Sequence, residues 1–165
     1  MQFPHPSWKL SSLGSAGPTV GSLIDLCGEN YDLLLSVAPG LARMTGEHRS
    51  RLDDSVDLHL EVLEQSRYTS TVRLTYYFCD GAERVPEPDV TLRVYHDARQ
   101  VELCGLRAGG LPVARLFEAP GLEQKWKVNL FVSKWLAFCR RQGHRFTAPA
   151  PAGRAQPVRC AVGVA

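Results

Sequence analysis

The chain has 165 residues, 44% of them apolar and 22% charged, with a formal net charge of +2. This length supplies one domain with a real core, since a chain of this size buries roughly 70% of its unfolded surface, and the composition is that of an ordinary globular protein. The charge is too small to carry nucleic-acid or anionic-membrane binding by itself, and no apolar run approaches the roughly 20 residues a spanning helix needs.

Residues 1–18 contain three prolines, one charged side chain and no sustained period. They are expected to form a flexible tail, because they cannot bury enough apolar surface to offset the entropy of ordering. The opening stretch lacks a basic region followed by an apolar one, so no secretory leader is expected.

A single domain is expected over residues 19–146. In "GSLIDLCGENYDLLLSVAPG" apolar residues recur at helical spacing through Leu23, Ile24, Cys27, Tyr31, Leu34 and Leu35. Ser22 is a suitable N-cap and Pro39-Gly40 ends the helix. From Ser55 the period becomes two: Val56, Leu58, Leu60 and Val62 alternate with Asp57, His59 and Glu61, a strand with one buried face. A second strand follows "EQSR" closely enough to form a hairpin, with Tyr68, Val72, Leu74 and Tyr76 alternating against Arg and Thr. "CDGAERVPEPD" breaks the pattern with glycine and proline. "VTLRVYHDARQVELC" then supplies two more strands around a turn, with Val90, Leu92 and Val94 facing inward.

A weaker fifth strand is expected from Pro112 to Phe117. Next, "LEQKWKVNLFVSKWLAFCRRQG" carries a broad apolar stripe of Val128, Phe131, Val132, Trp135, Leu136, Phe138 and Cys139, wide enough to cover a sheet. Arg140 and Arg141 suit its negative end and Gly143 its C-terminal cap. Residues 147–165, rich in alanine and proline, are expected to form a second flexible tail. The order predicts an α+β domain: an antiparallel meander of four to five strands with an N-terminal and a C-terminal helix packed on one face.

The five cysteines, Cys27, Cys79, Cys104, Cys139 and Cys160, form no C-x-x-C pair. No zinc knuckle or thioredoxin-type motif is therefore present. They are expected to be reduced and to pack as small hydrophobes, and no metal or cofactor is expected. Nucleophile-elbow, P-loop, dinucleotide-binding and zincin motifs are missing as well.

Three groups of residues remain as candidates for chemistry. Tyr95, His96 and Asp97 stand at a turn where an imidazole beside a carboxylate can serve as a base or ligand. The plainer reading is that His96 continues the inward alternation as a structural donor while Asp97 makes an Asx-type turn. Arg67 has the planar fork that clamps carboxylates and phosphates. Alternatively, Arg67 and Arg73 pair across the hairpin with Asp57, Glu61 and Glu64. Lys125, Trp126, Lys127 and Asn129 occupy the first turns of the last helix, where anions are favoured, unless the Trp simply packs under lysine stems.

"SRYTSTVRLTYY", "VTLRVYHDARQVELC" and "QKWKVNLFVSKWLAFCRRQGH" together resemble the YqiB-like proteins of proteobacteria, a family of unknown function. The resemblance spans roughly residues 22–146. It is most specific at Arg67-Tyr68-Thr69, at Val94-Tyr95-His96-Asp97-Ala98, and at Lys125 and Asn129 ahead of Trp135-Leu136. It implies a small cytoplasmic protein and supplies no reaction. The chain departs from the family pattern at Gln124 and Lys127, where the family carries an acid and Gln.

The leading expectation is a non-enzymatic binding or adaptor domain contacting a protein or a small anionic ligand. Arg67 and Lys125 would contact the anion, with Tyr95, His96, Asp97 and Asn129 orienting it. A second reading is a small enzyme acting on a phosphorylated or nucleotide-like metabolite, with His96 as base and Arg67 and Lys125 neutralising charge. The third is nucleic-acid binding through Arg73, Arg93, Lys125 and Lys127, which the modest charge disfavours.

Overall fold

A computed structural model of the protein describes residues 18–108, 111–115, 121–147 and 161–162. Helix α1, Val20–Val37, starts where Thr19 accepts the backbone N–H of Ser22 and the Ser22 hydroxyl oxygen accepts the N–H of Thr19. This reciprocal box moves the cap from Ser22 to Thr19. A 3-10 turn at Leu41–Arg43 leads into β1 (Gly46–Ser50), β2 (Leu58–Gln65), β3 (Thr69–Asp80), β4 (Glu83–Tyr95), β5 (Gln100–Ala108) and β6 (Leu111–Arg115). These lie side by side in chain order, every neighbouring pair antiparallel. Helix α2, Leu122–Gln142, follows, and β7, Ala161–Val162, pairs parallel with β3.

The register stacks one face of the sheet with apolar side chains. Leu58 lies opposite Tyr76, Leu60 opposite Leu74, Val72 opposite Leu92, and Val94 opposite Val101. Each of these is almost fully buried. Both helices cover that face: Tyr31, Leu34 and Val37 of α1 join Val132, Trp135, Leu136 and Cys139 of α2 in one core with the strand residues. Past α2, Gly143 adopts a left-handed conformation (φ 94°), and the His144 N–H returns to Cys139. This is the glycine cap its position suggests. The Phe146 N–H then reaches the Val37 carbonyl at 2.7 Å, tying the ends of the two helices together.

The α+β class and the helices on one face match expectation, and the sheet is larger than expected. Strand β1 has no apolar alternation, because "GEHRS" is an edge strand with Ser50 its single buried residue. "CDGAERVPEPD" does not end the strands: β3 and β4 run through it and turn at Gly81 (φ 61°). Among the described residues β5 pairs with β4 only from Asp89 onward, so Pro86 and Pro88 interrupt no described ladder bond on that side. The fifth expected strand lies at Leu111–Arg115; residues 116–120 fall outside the described residues. Of the two expected tails, residues 1–17, 148–160 and 163–165 also lie outside them.

Candidate binding site

The turn between β2 and β3 is closed by Ser66 N–H donating to Thr69 O, and the β4 end joins it through His96 N–H to Tyr68 O, both at 2.8 Å. Arg67, Tyr68, His96 and Asp97 therefore share one rim of the sheet. The Arg67 guanidinium lies over the Tyr68 ring, 5.0 Å from its centroid, and Tyr68 is 51% exposed. Among the described residues Arg67 makes no ion pair. The cross-strand pairing expected for it is absent: Arg73 instead binds Asp89 of β4 through two bonds of 2.7 and 2.8 Å, with Glu61 at 4.0 Å. Asp57, expected on the outer acidic face, is fully buried between Arg49 of β1 (3.8 Å) and Arg51 just past the end of β1 (3.9 Å).

His96 is held by a chain of side chains. Its Nε2 lies 2.7 Å from Ser70 Oγ, Ser70 donates to Gln65, and Gln65 donates to the carbonyl of Ala42. Ser70 has one proton and gives it to Gln65, so the His96 Nε2–H must be the donor. Burial lowers the His96 pKa, opposed by the charge of Asp97. The imidazole is thus a neutral structural donor, oriented by Ser70 rather than by the neighbouring carboxylate. Its acceptor is a hydroxyl, not the backbone carbonyl that alternation alone suggests. Asp97 is exposed.

Tyr95 points to the opposite face of the sheet, where its hydroxyl donates to Glu102 at 3.2 Å and bonds Arg93. Burial and the Glu102 charge raise its pKa. At the turn after His96, Arg99 (φ 51°) lies over Tyr31 at 5.3 Å and pairs with Asp32 at 2.7 Å.

Lys125 and Asn129 lie elsewhere, in the seam between the helices. Asn129 is buried and caps the Lys125 carbonyl at 2.8 Å. Its own carbonyl accepts from Asn30 at 3.1 Å, and its side-chain oxygen faces the Cys27 thiol at 3.9 Å. Burial pushes the Cys27 thiol up, with Glu102 adding and Lys125 opposing. The seam is a polar clamp between α1 and α2. Of the six candidates, Arg67, His96 and Asp97 lie in adjoining turns at one rim, with Arg67 over Tyr68 and His96 turned inward to Ser70; Tyr95 stands on the opposite face, and Lys125 and Asn129 lie in the helix seam.

A second polar group escaped the sequence reading. His144, buried, lies with Nδ1 3.2 Å from Ser50 Oγ, which also accepts the Arg145 N–H. Burial drives its pKa down to about 4, with Asp57 opposing. On the other face His59 meets Tyr77 edge-on at 4.8 Å, and Arg84 covers Tyr77 at 4.3 Å. Period-two alternation sorts residues by face and says nothing of depth, so a buried Asp57 reads like any outward acid. Among the described residues no three His, Cys, Asp or Glu side chains are placed to hold a metal ion, and no helix is long and apolar enough to cross a membrane. Cys139 is buried and Cys27 and Cys104 half-buried, all free thiols. Cys79 differs from the expected reduced hydrophobe: it sits on the β3–β4 arm beyond the core and is disulfide-bonded.

A family model described as "Protein of unknown function (DUF1249)" matches residues 33–145. The chain is 26% identical over 131 residues to "Uncharacterized protein YqiB" of Escherichia coli strain K12, covering 76% of this chain and 91% of that protein. The counterparts from strains O6:H1 and O157:H7 match to the same extent. No solved structure matches.

Proposed function

The chain belongs to the DUF1249 family, which contains the YqiB-like proteins its residues resemble, and from that premise we propose that it works by binding rather than by catalysis. Residues 19–146 form its single domain, it acts in the cytoplasm, and the rim around Arg67 contacts an acidic segment of a protein partner. The observation that carries this reading is Arg67 itself, an exposed cation stacked on an exposed tyrosine and, among the described residues, without an acid to pair with. Arginine and tyrosine are, with tryptophan, the side chains enriched at the energetic centres of interfaces. Leu63, the bulged residue of the same hairpin, adds exposed apolar surface.

The enzyme reading needs a free imidazole near two cations. The Nε2 of His96 is committed to Ser70, and Lys125 stands in the helix seam. The nucleic-acid reading invokes cations that already have partners: Arg73 with Asp89, Lys127 with Glu123, and Arg93 with Tyr95.

The test places a photo-crosslinking amino acid at position 68 in cells making the protein at its native level. A discrete protein adduct, lost when Arg67→Glu is added, is expected, with the purified variant melting at the parent's temperature. No adduct at position 68 would overturn the reading. So would a thermal shift with a phosphorylated metabolite, present at about 100 times its Kd and adding about 2.7 kcal/mol, that Lys125→Ala abolishes.

A further inference from the structure

The path of neighbouring strands from β1 to β6 ends in two edges that differ in kind. At one, β6 carries Pro112, which has no N–H to offer a further strand. At the other, β1 contains no proline and, among the described residues, pairs with β2 alone. Its sequence is Gly46-Glu47-His48-Arg49-Ser50, an acid and a base mirrored about His48. Ser50, opposite Leu58, is turned to the core, so Glu47 and Arg49 stand on the other, polar face of the sheet. Glu47 is exposed, lies directly opposite Glu61, and among the described residues has no cation to pair with. Like charges set directly across a ladder are destabilising.

We propose that β1 is a self-association edge, through which two copies of the chain pair antiparallel about a two-fold axis at His48 and join their sheets. That register sets Glu47 opposite the partner's Arg49, and Arg49 opposite the partner's Glu47. The acid that faces only Glu61 within its own sheet thereby gains a cation on its open side. Arg49 already holds the buried Asp57 at 3.8 Å, and a guanidinium has donors enough for a second carboxylate.

The charges select both the occupant and its direction. Charges of one sign blunt an edge, because a second copy is repelled. Mirrored charges do the reverse: an antiparallel copy meets opposite signs at both positions, whereas a parallel copy in register meets like signs at both. Residues directly opposite one another point the same way, so the helices of both copies fall on one side of the joined sheet. The contact is isologous, as a closed dimer requires, and it needs neither Arg67 nor Tyr68. Five residues of strand edge make a small interface, so the association depends on protein concentration.

The experiment is sedimentation velocity on the full chain over a concentration series at low salt. The weight-average mass is expected to rise from that of one chain toward that of two. Glu47→Lys should weaken the association about tenfold or more, since both pairs across the axis turn repulsive. The same variant should melt no lower than the parent at dilute concentration, because a lysine there faces Glu61 favourably. Opposite residues on antiparallel strands have Cα atoms about 4.5–5.5 Å apart, within disulfide reach. His48→Cys under mild oxidation should therefore give a dimer linked through position 48, and the parent none. A mass that stays at one chain throughout the series would overturn the proposal. So would a dimer that Glu47→Lys leaves intact, or a His48→Cys dimer that sediments as two chains yet forms no link at position 48.

Discussion

His96 donates to Ser70, Ser70 to Gln65, and Gln65 to Ala42, so one imidazole joins the end of β4 to β3, β2 and the 3-10 turn. His96→Ala removes the first donor and leaves a half-buried relay short of a partner. It is expected to lower stability by about 1–2 kcal/mol, read as a shift in urea midpoint. His96→Gln should cost less, because a glutamine amide reaches about as far as Nε2. Midpoints equal to the parent's in both variants would show that the relay contributes nothing. The inward, structural role of His96 follows from its alternation with Leu92 and Val94, and that much was legible. Its partner was not, since Ser70 lies 26 residues earlier and meets it only through the β3–β4 register. Asn129 is a similar case: its helix position can be read from the sequence, but its engagement with Asn30 depends on how two helices dock across 99 residues of chain.

Helix α2 is the element on which the core depends most. Trp135 is 8% exposed and meets the Tyr76 ring edge-on at 5.9 Å, bridging helix and sheet. Trp135→Ala is expected to cost about 3–5 kcal/mol by opening a cavity there, measured by chemical denaturation. Trp135→Phe should cost much less, because the indole Nε1 has no hydrogen-bond partner to lose. A Trp135→Ala protein as stable as the parent would mean that α2 is not anchored at this point. The stripe, the terminal arginines and Gly143 all agree over α2, so this element was readable without tertiary information. Strand β1 was not, because an edge strand needs only backbone pairing and "GEHRS" carries no period. The β3–β4 arm was hidden for the opposite reason. Gly81, Pro86 and Pro88 normally signal a break, yet the turn needs the glycine, and the prolines fall before Asp89, where the described pairing of β4 with β5 begins.

Across the whole molecule, both helices lie on one face and leave the other to polar side chains that mostly satisfy one another, as Arg73 does with Asp89 and Tyr95 with Glu102. Three of the histidines add acid sensitivity to the fold. His59, His96 and His144 all have lowered pKa values, and burial is the first cause in each. A histidine whose folded pKa lies below its unfolded value binds fewer protons in the folded state. Its contribution is intact above the unfolded pKa and is lost as pH falls toward the folded one, by up to about 1.4 kcal/mol per pH unit for each proton of difference. His144 has the widest resolved window, from its ordinary 6.5 down to about 4. His144→Asn places an amide, able to donate or accept, near the Nδ1 position, so it can still bond Ser50 in either direction while removing the titration. The parent's melting temperature is expected to fall steadily as pH drops from about 6.5 to about 4, and the variant's to fall less steeply over the same range. Asp57, whose charge favours the protonated imidazole, limits the difference without reversing its sign. Parallel slopes for parent and variant would assign the acid loss to the carboxylates and the other histidines, and would mean that His144 is not held neutral by its burial.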